Sequence, residues 1–306
     1  MELRGLHLLL TYQCLFECDH CFVWGGPRQS GTLTLAQVHD ILEQAKDLGT
    51  VQWIYFEGGE PFLYYATLLA GVREAAGMGF RVGVVSNGYW ATSVDDARKW
   101  LRPLAGLVQD LTLSDDLYHY DPRLDRQPAY ARAAAEQLGF PLGVINVAQP
   151  EAACGPGGVG QLPEGESAVM YRGRAAEALA ARASRSPWES FTACLHEELR
   201  EPRRAHVDPL GNLHVCQGIS VGNLFARTLR AICADYAPAA HPIIGPLLAG
   251  GPAELVRRYD LSPAEGYADA CHLCYEARRR LRGRFPEELA PDQAYGVSPG
   301  GAPQAP

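Results

Sequence analysis

Short apolar runs recur along the first half of the chain at the spacing of strand–helix units. They read GLHLLLTY, VQWIYFEGG, RVGVVSNG, LVQDLTLS and PLGVINVA, with SAVMYRG as a candidate sixth. Most of the intervening segments have helical periodicity, and in residues 34–49 the apolar positions fall on one helical face. There, Thr34 and Gln37 predict a capping box at the start of a helix, and Gly49 predicts its end.

This alternation of strands and helices predicts an α/β fold with a parallel sheet. Nearly continuous apolar strands indicate a sheet covered on both faces, and five or six repeated units favour a partial (β/α)6 TIM-like barrel over a small flat sheet. We expect ligands to bind at the carboxyl ends of the strands, where polar residues follow the apolar runs.

The repeating pattern breaks at a Gly/Pro-rich segment, residues 151–167, and does not return after Trp188. We predict a barrel domain over residues 1–185 and a smaller module over 186–285. In this module the PLGN segment between two β-rich runs is typical of a hairpin turn and predicts a β-hairpin. The helix that we expect beside this hairpin is implied by a family resemblance described below. Residues 286–306 have little apolar content, which predicts a disordered tail.

Composition restricts the class of protein. Lys and Arg number 27 against 35 Asp and Glu, a net charge of −8, and 47% of residues are hydrophobic. This acidic balance disfavours nucleic acid as a partner. With no long apolar span and no signal peptide, the sequence predicts a cytoplasmic protein without a membrane partner. Nine cysteines in a reducing compartment are more typical of metal ligands, core residues or reactive groups than of disulfides.

Three of the cysteines, Cys14, Cys18 and Cys21, form a C-x3-C-x2-C segment directly after the first predicted strand. An odd number of such close cysteines does not suit relaxed disulfides. Three thiolates can instead hold an iron–sulfur cluster that keeps one iron open. A zinc site that borrows a distant fourth ligand is the structural alternative.

The segment CLFECDHC resembles the cluster-binding motif of the radical S-adenosylmethionine (radical SAM) enzymes. FEGGEP, VVSNGYW and TLSDDLYHY, which end the second, third and fourth predicted strands, resemble further motifs of that family. The resemblance covers about residues 5–150. It implies that the three cysteines hold a [4Fe-4S] cluster whose open iron binds S-adenosylmethionine.

The family resemblance also assigns cofactor contacts. The glycines of the GGEP motif would allow the backbone to approach the cofactor closely, and its Glu and Pro would fix the turn. Polar residues at the next two strand ends would bind the carboxylate and ribose, and a histidine in the cysteine loop would lie against the adenine. The implied residues are His20, Gly58, Gly59, Glu60, Pro61, Ser86, Asn87, Ser114 and Asp116. Without the other motifs, the strand-end residues would be ordinary turn residues.

A second set of cysteines, Cys194, Cys216, Cys271 and Cys274, lies in the predicted module. Four thiolates that include a C-x2-C pair are typical of structural zinc. The sequences HVDPLGNLHVCQGISVGNL and CHLCYEAR, however, resemble the SPASM/twitch extension of radical SAM enzymes. That resemblance implies one fully ligated auxiliary [4Fe-4S] cluster, as in the short twitch form, and leaves Cys233 as a core residue at helical spacing.

A fully ligated cluster is better suited to accept an electron than to bind substrate. We therefore predict oxidation of a small-molecule alcohol, and the cluster arrangement most resembles the aminocyclitol dehydrogenase of butirosin biosynthesis. By that resemblance Arg172 or Arg174 lies near substrate, although either could be a surface ion pair. Cys154 is a candidate hydrogen or proton donor, or an ordinary loop residue.

The sequence is also compatible with other functions. The first is modification of a ribosomally made peptide. Because the chain begins almost at its first strand, we expect such a substrate to require a separate carrier protein. A molybdopterin-type cyclase is disfavoured, since its second cluster is held by three cysteines and this chain has four in the second set. A non-catalytic metal-binding or redox-sensing module is a further alternative. ARRRLRGR, which contains Arg279 and Arg280, could dock a flavodoxin- or ferredoxin-like electron donor, or be a solvated helix face.

Overall fold

A computed structural model describes residues 1–154 and 165–297. In this part of the chain, eight strands form one sheet in the order β5-β4-β3-β2-β1-β6-β7-β8. The strands are β1 (Gly5–Thr11), β2 (Trp53–Gly58), β3 (Arg81–Ser86), β4 (Asp110–Ser114), β5 (Leu142–Ile145), β6 (Arg204–Val207), β7 (Asn212–Cys216) and β8 (Ile219–Asn223). The sheet does not close on itself, so the predicted α/β fold with a partial TIM-like barrel is confirmed.

Helices connect and cover the parallel strands. They are α1 (Leu35–Leu48), α2 (Tyr65–Gly77), α3 (Val94–Leu101), α4 (Gln127–Gln137), α5 (Arg174–Ala178), α6 (Leu229–Ala234), α7 (Ile244–Arg258) and α8 (Ala270–Leu281). Helix α1 has the predicted capping box between Thr34 and Gln37, and Gly49 ends it with a left-handed φ of 80°. Helix α7 is interrupted at Gly250 and Gly251, whose backbone is not helical.

The sixth parallel strand is not the one that the sequence predicted. SAVMYRG, residues 167–173, forms no strand and contributes only an isolated bridge between Ser167 and Val147. Its apolar residues Val169 and Tyr171 pack in a separate cluster with α5. Strand β6 is the sixth parallel strand. It pairs in parallel with β1, so that β1 is hydrogen-bonded to a strand on each side, β2 and β6.

Strands β6, β7 and β8 then run antiparallel, with the predicted hairpin turn at Asp208–Gly211 between β6 and β7. The predicted module therefore extends the same sheet as the barrel. The boundaries at residues 185 and 285 stay a prediction.

One apolar cluster fills the space between the parallel strands and helices α1–α4, and it includes Cys233, which is buried as predicted. A second cluster lies around β7, β8, α7 and α8 and includes Leu289 and Tyr295. Residues 286–297 therefore pack against the module, which differs from the predicted tail beginning at Pro286, because these two side chains bury large apolar surfaces. Residues 298–306 lie outside the described part of the chain. No described helix is both long and apolar enough to cross a membrane.

Candidate functional site

The three cysteines of the first loop come together at the carboxyl end of β1. Cys14, Cys18 and Cys21 line the same cavity, and backbone N–H groups of Phe16 and Gly25 donate to the sulfur atoms of Cys14 and Cys21 at 3.4 and 3.2 Å. Burial raises the pKa of the Cys14 thiol to about 12 and that of Cys18 further. Buried sulfurs surrounded by N–H donors fit an iron–sulfur cluster, which would stabilise them as thiolates.

Arg174 holds this loop in shape. Its guanidinium donates to the carbonyl oxygens of Cys18 and Gly25, both at 2.7 Å, and its backbone N–H donates to the carbonyl of Cys21. The guanidinium also lies over the ring of Trp24. Arg174 does not line the cavity that contains the three cysteines, so the structure places it as a support for the loop and away from the predicted substrate contact.

The two glycines after β2 allow an unusually close approach between two backbone segments. A Cβ atom at Gly59 would lie 2.1 Å from the carbonyl oxygen of Gln13, and one at Gly58, whose φ is 135°, would lie 2.5 Å from that of Thr11. The N–H groups of Gly59 and Glu60 donate to these same carbonyls at 2.7 and 2.9 Å. The glycines line the cavity as predicted, and they also fix the cysteine loop to the neighbouring strand.

Glu60 is fully buried and connects the ends of β2 and β3. Its carboxylate accepts hydrogen bonds from the backbone N–H groups of Phe62 and Asn87 and from the hydroxyl of Ser86, at 2.8–3.0 Å. Burial raises its pKa to about 7, against the opposing effect of these donors. Pro61, also buried, begins the following 3₁₀ turn. Both residues fix the turn, as the family resemblance implied, and neither lines the cavity.

The ends of β3 and β4 contribute polar side chains to the cavity. Ser86, Asn87 and Ser114 all line it, and the amide nitrogen of Asn87 donates to the Cys14 sulfur at 3.5 Å. Asn87 therefore contacts a predicted cluster ligand directly. Of the aromatic residues beside these strand ends, Trp90 is buried in the main core and Tyr118 contacts the ring of His20.

Asp116 is turned toward two histidines. Nδ1 of His119 lies 2.8 Å from one carboxylate oxygen, and Nε2 of His20 lies 3.4 Å from the other. Although burial alone would raise it, the pKa of Asp116 is held well below its usual range by the two imidazoles. His20 and His119 line the cavity while Asp116 does not. Asp116 thus orients two imidazoles that line the cavity, and its predicted contact with the cofactor stays a prediction.

The cavity continues down the inner face of the sheet and has a volume of about 440 Å³. Deep within it lie three side chains that sequence reasoning missed: His7 on β1, Glu57 on β2 and His206 on β6. Nδ1 of His7 lies 3.1 Å from one Glu57 oxygen, and Nε2 of His206 lies 3.2 Å from the other. The sequence signal that could have identified these three residues is a titratable side chain within an otherwise apolar strand.

Within the group of His7, Glu57 and His206, the surroundings favour an ionised carboxylate and a neutral His206. Burial tends to raise the pKa of Glu57, but both histidines outweigh it and hold that pKa well below the usual range. Burial lowers the pKa of His206, which favours its neutral form. Tyr55 stacks on His7 with ring centroids 4.5 Å apart and donates its hydroxyl hydrogen to Asp110. These contacts hold the His7 ring in one orientation within the cavity.

The second set of cysteines also comes together. Cys194, Cys216, Cys271 and Cys274 line one small cavity together with two arginines, Arg172 and Arg278. Cys216 ends β7, whereas Cys271 and Cys274 lie in the first two turns of α8. Burial raises the pKa of the Cys274 thiol to about 12. Four thiols with two cationic neighbours fit a fully ligated, negatively charged cluster such as the predicted auxiliary cluster.

Arg172 lies where the two cavities meet. Its Nη1 atom donates to Glu197 at 3.0 Å and to the Cys216 sulfur at 3.5 Å, and its side chain lines both cavities. Of the predicted catalytic residues, Arg172 therefore reaches the candidate site, while Arg174 supports the cysteine loop. Cys154 ends a 3₁₀ turn, and its side chain lies outside the described part of the chain.

Part of the chain is similar to known proteins. Residues 8–132 match the family model of the radical SAM superfamily. The peptide biosynthesis protein YydG of Bacillus subtilis is 28% identical over 117 residues, which is 38% of this chain and 37% of YydG. The PqqA peptide cyclase of Streptomyces rochei is 31% identical over 147 residues, which is 46% of this chain and 39% of that protein.

These alignments span well under half the length of either curated relative. Among solved structures, that of BtrN in complex with AdoMet and 2-DOIA matches with a TM-score of 0.49 and 16% sequence identity. The match covers 75% of this chain and 81% of BtrN.

Proposed function

Since the chain belongs, through residues 8–132, to the radical SAM superfamily, we propose that it oxidises an organic substrate in a reaction started by hydrogen-atom removal. The protein is an enzyme of that superfamily, whose cofactors are a [4Fe-4S] cluster and S-adenosylmethionine. Cys14, Cys18 and Cys21 would hold three irons of the cluster. The fourth iron would bind the cofactor beside Gly58 and Asn87, which line the same cavity.

When bound, these groups supply a 5′-deoxyadenosyl radical that takes a hydrogen atom from the substrate. A substrate radical with an O–H group next to the radical carbon can then become a ketone by losing one proton and one electron. The chain must therefore provide a proton acceptor and an electron acceptor close to the same cavity, and it must keep water away from the radical.

The single observation that carries the proposal is the position of Arg172. Its side chain lines the cavity of the first cluster and also the cavity of the four-cysteine site. An auxiliary cluster held by Cys194, Cys216, Cys271 and Cys274 would consequently lie on the other side of the Arg172 side chain from the substrate cavity, in position to take up the electron. Without an open iron, that cluster has no position at which to bind substrate itself.

His7 is suited to take the proton. With its Nδ1–H donated to Glu57, its Nε2 atom carries the lone pair, and Nε2 has no hydrogen-bond partner among the described residues. This is the arrangement in which a carboxylate orients a histidine as a general base. The ionised Glu57 would stabilise the imidazolium that forms.

A small-molecule alcohol is the substrate class that we propose first. The cavity of about 440 Å³ is within the size range of small-molecule sites, and it must accommodate the cofactor as well. Only a compact substrate, or one residue of a larger molecule, can therefore reach the radical. Oxidation at a carbinol carbon uses both the His7 base and the four-cysteine site.

A peptide is the second candidate, because two curated relatives are named for peptide biosynthesis and for peptide cyclisation. One structural feature supports it. Strand β5 is at the outer edge of the sheet, and its residues Val144 and Ile145 are 44% and 36% exposed. A peptide could pair with such an edge and insert one side chain into the cavity, where Ile145 also lies.

The test is to reconstitute the protein anaerobically with iron and sulfide, add S-adenosylmethionine and dithionite, and measure 5′-deoxyadenosine by liquid chromatography. The variant with Cys14, Cys18 and Cys21 all changed to Ala is the control. Panels of polyols, amino alcohols and short peptides are then added, and products are analysed by mass spectrometry. We expect deoxyadenosine only from the unaltered protein, and a product that has lost two hydrogen atoms.

Two results would contradict the proposal. A product isomeric with its substrate would show a redox-neutral reaction, which needs no electron acceptor. Absence of deoxyadenosine from a preparation with full iron content, with every substrate panel, would contradict the proposed radical chemistry of this chain.

A further inference from the structure

Arg172 is the residue shared by the two cavities, and its charge lies close to the four-cysteine site. The Arg172 side chain is only 9% exposed, so water screens its charge weakly. Nη1 lies 3.5 Å from the Cys216 sulfur, and the guanidinium carbon lies 5.2 Å from the centroid of the Phe22 ring. Phe22 follows Cys21, so the contacts of Arg172 extend from the first cysteine loop to the second cysteine site.

The second arginine of the site differs in its contacts. Arg278 is fully buried, but its donors point to the backbone carbonyls of Gln217 and Cys274 and to the hydroxyl of Tyr295. Those bonds tie α8 to the turn after β7. The Arg278 charge also acts on Cys274 and Cys216, but Arg172 is the arginine that lines both cavities, and its Nη1 atom donates to the Cys216 sulfur.

Glu197 opposes Arg172 at the same place. Its carboxylate is 7% exposed and lies 3.0 Å from Arg172 Nη1, and its second oxygen lies 3.4 Å from Arg204. The four-cysteine site is thus lined by two buried positive charges, Arg172 and Arg278, and by the negative charge of Glu197, which is paired with Arg172. Hydrogen bonds to sulfur and nearby charges are the features of a protein that set the reduction potential of an iron–sulfur cluster.

We infer that Arg172 and Glu197 form a charge pair that sets the reduction potential of the cluster held by Cys194, Cys216, Cys271 and Cys274. This inference rests on the proposed function, in which that cluster accepts the substrate's electron. Reduction adds one negative charge to the cluster. The Arg172 charge favours the reduced form and raises the potential, whereas the Glu197 charge disfavours the reduced form and lowers it.

Because Arg172 and Glu197 carry opposite charges, neutralising each residue in turn should shift the reduction potential in opposite directions. The 306-residue chain with Cys14, Cys18 and Cys21 changed to Ala, reconstituted with iron and sulfide, should retain only the second cluster. Its midpoint potential is measured by anaerobic redox titration followed by electron paramagnetic resonance. In that background we compare Arg172→Gln, Arg172→Lys and Glu197→Gln, each at equal iron content.

We expect Arg172→Gln to shift the potential to more negative values and Glu197→Gln to shift it to more positive values. Arg172→Lys should shift it less than Arg172→Gln, because the charge remains while the hydrogen bond to Cys216 changes. A general loosening of the site would admit water in both neutral variants and could not move the potential in opposite directions.

Shifts of the same sign in Arg172→Gln and Glu197→Gln, or no shift in either with iron bound, would overturn the inference while leaving the proposed function intact. A second site that takes up zinc but no iron under these conditions overturns the proposed function, and this inference with it. Iron analysis of each sample separates the two cases.

Discussion

Nδ1 of His7 lies 3.1 Å from Oε2 of Glu57, across the two adjacent central strands of the sheet. On β1, His7 and Leu9 face the cavity, while Leu6, Leu8 and Leu10 face the helices. His7 and Glu57 therefore lie on the inner face of the sheet and line the same cavity as the three cysteines. A second imidazole, His206, meets the other oxygen of the same carboxylate.

The first prediction concerns this pair. In His7→Gln and Glu57→Gln we expect 5′-deoxyadenosine still to form, because His7 lies on β1 and Glu57 on β2, outside the loop that carries the three cysteines. Formation of the oxidised product should fall by about 10²–10⁴-fold, the usual contribution of a general base. The ratio of deoxyadenosine to product, measured in one reaction mixture, checks this expectation.

A matched control exists on the outside of the protein. His39 and Glu74 form the same kind of imidazole–carboxylate contact between α1 and α2, with side chains 53% and 32% exposed. His39→Gln should leave both yields unchanged. If His7→Gln behaves like His39→Gln, His7 is not the proton acceptor.

The second prediction separates the two cysteine sites. Wild-type protein reconstituted with iron and sulfide should contain about eight irons per chain if both sites hold cubane clusters. Changing Cys14, Cys18 and Cys21 to Ala should remove half of this iron and abolish deoxyadenosine formation.

Changing Cys194, Cys216, Cys271 and Cys274 to Ala should also remove half of the iron, but should spare deoxyadenosine formation. Metal analysis of the wild type and both variants, together with the deoxyadenosine assay, checks this. About one zinc per chain in place of the second cluster would instead indicate a structural site.

The third prediction concerns the contact between the glycines and the cysteine loop. Gly59→Ala would place a Cβ atom 2.1 Å from the Gln13 carbonyl oxygen, so the loop that begins at Cys14 must move. We expect a loss of roughly 1–3 kcal/mol in the free energy of unfolding, the usual cost of forcing an extra methyl group into a packed site. Iron retained by the first site should also fall.

Gly77 provides the comparison, since a Cβ atom there would have no neighbour within 4 Å and the residue is the last of helix α2. Gly77→Ala should be neutral or stabilising by about 0.5–1 kcal/mol. Denaturant unfolding of the protein without iron tests the stability of both variants. Equal stabilities for Gly59→Ala and Gly77→Ala would contradict the proposed steric role of Gly59.

The fourth prediction concerns the electron donor. Arg279 and Arg280 lie near the end of α8, where Arg279 lies 2.8 Å from Glu177 and Arg280 donates to the carbonyl of Ser262. We propose that they form part of the docking surface for a flavodoxin-like donor. Changing both to Glu should slow reduction by flavodoxin and leave reduction by dithionite unchanged, as measured by deoxyadenosine formation with each reductant. An equal loss with both reductants would show damage to the site itself.

Local signals in the sequence were sufficient for several elements. The capping box at Thr34 and the left-handed Gly49 define α1 because they depend on residues within one helical turn. The three cysteines of the first loop lie close together in sequence, so few backbone arrangements could separate them. The hairpin between β6 and β7 was predictable from its turn for the same reason.

The sixth parallel strand could not be found in this way. Arg204–Val207 is only four residues long, and its place depends on which edge of the sheet is free. SAVMYRG has stronger β propensity, but Val169 and Tyr171 of that segment pack with α5 instead. Pairing with β1 decided the position of β6, and a pairing partner nearly 200 residues away leaves no local trace.

The sequence by itself determined the class of the protein, because the cysteine spacing and strand-end motifs are short and each depends only on neighbouring residues. The tertiary structure alone decided how those parts combine. It brought His206 beside Glu57, 149 positions away in the chain, and Arg172 beside Cys216, 44 positions away. It also placed Arg172 in the lining of both cavities. Such contacts are set by strand order and by packing across the sheet, which no local pattern of residues specifies.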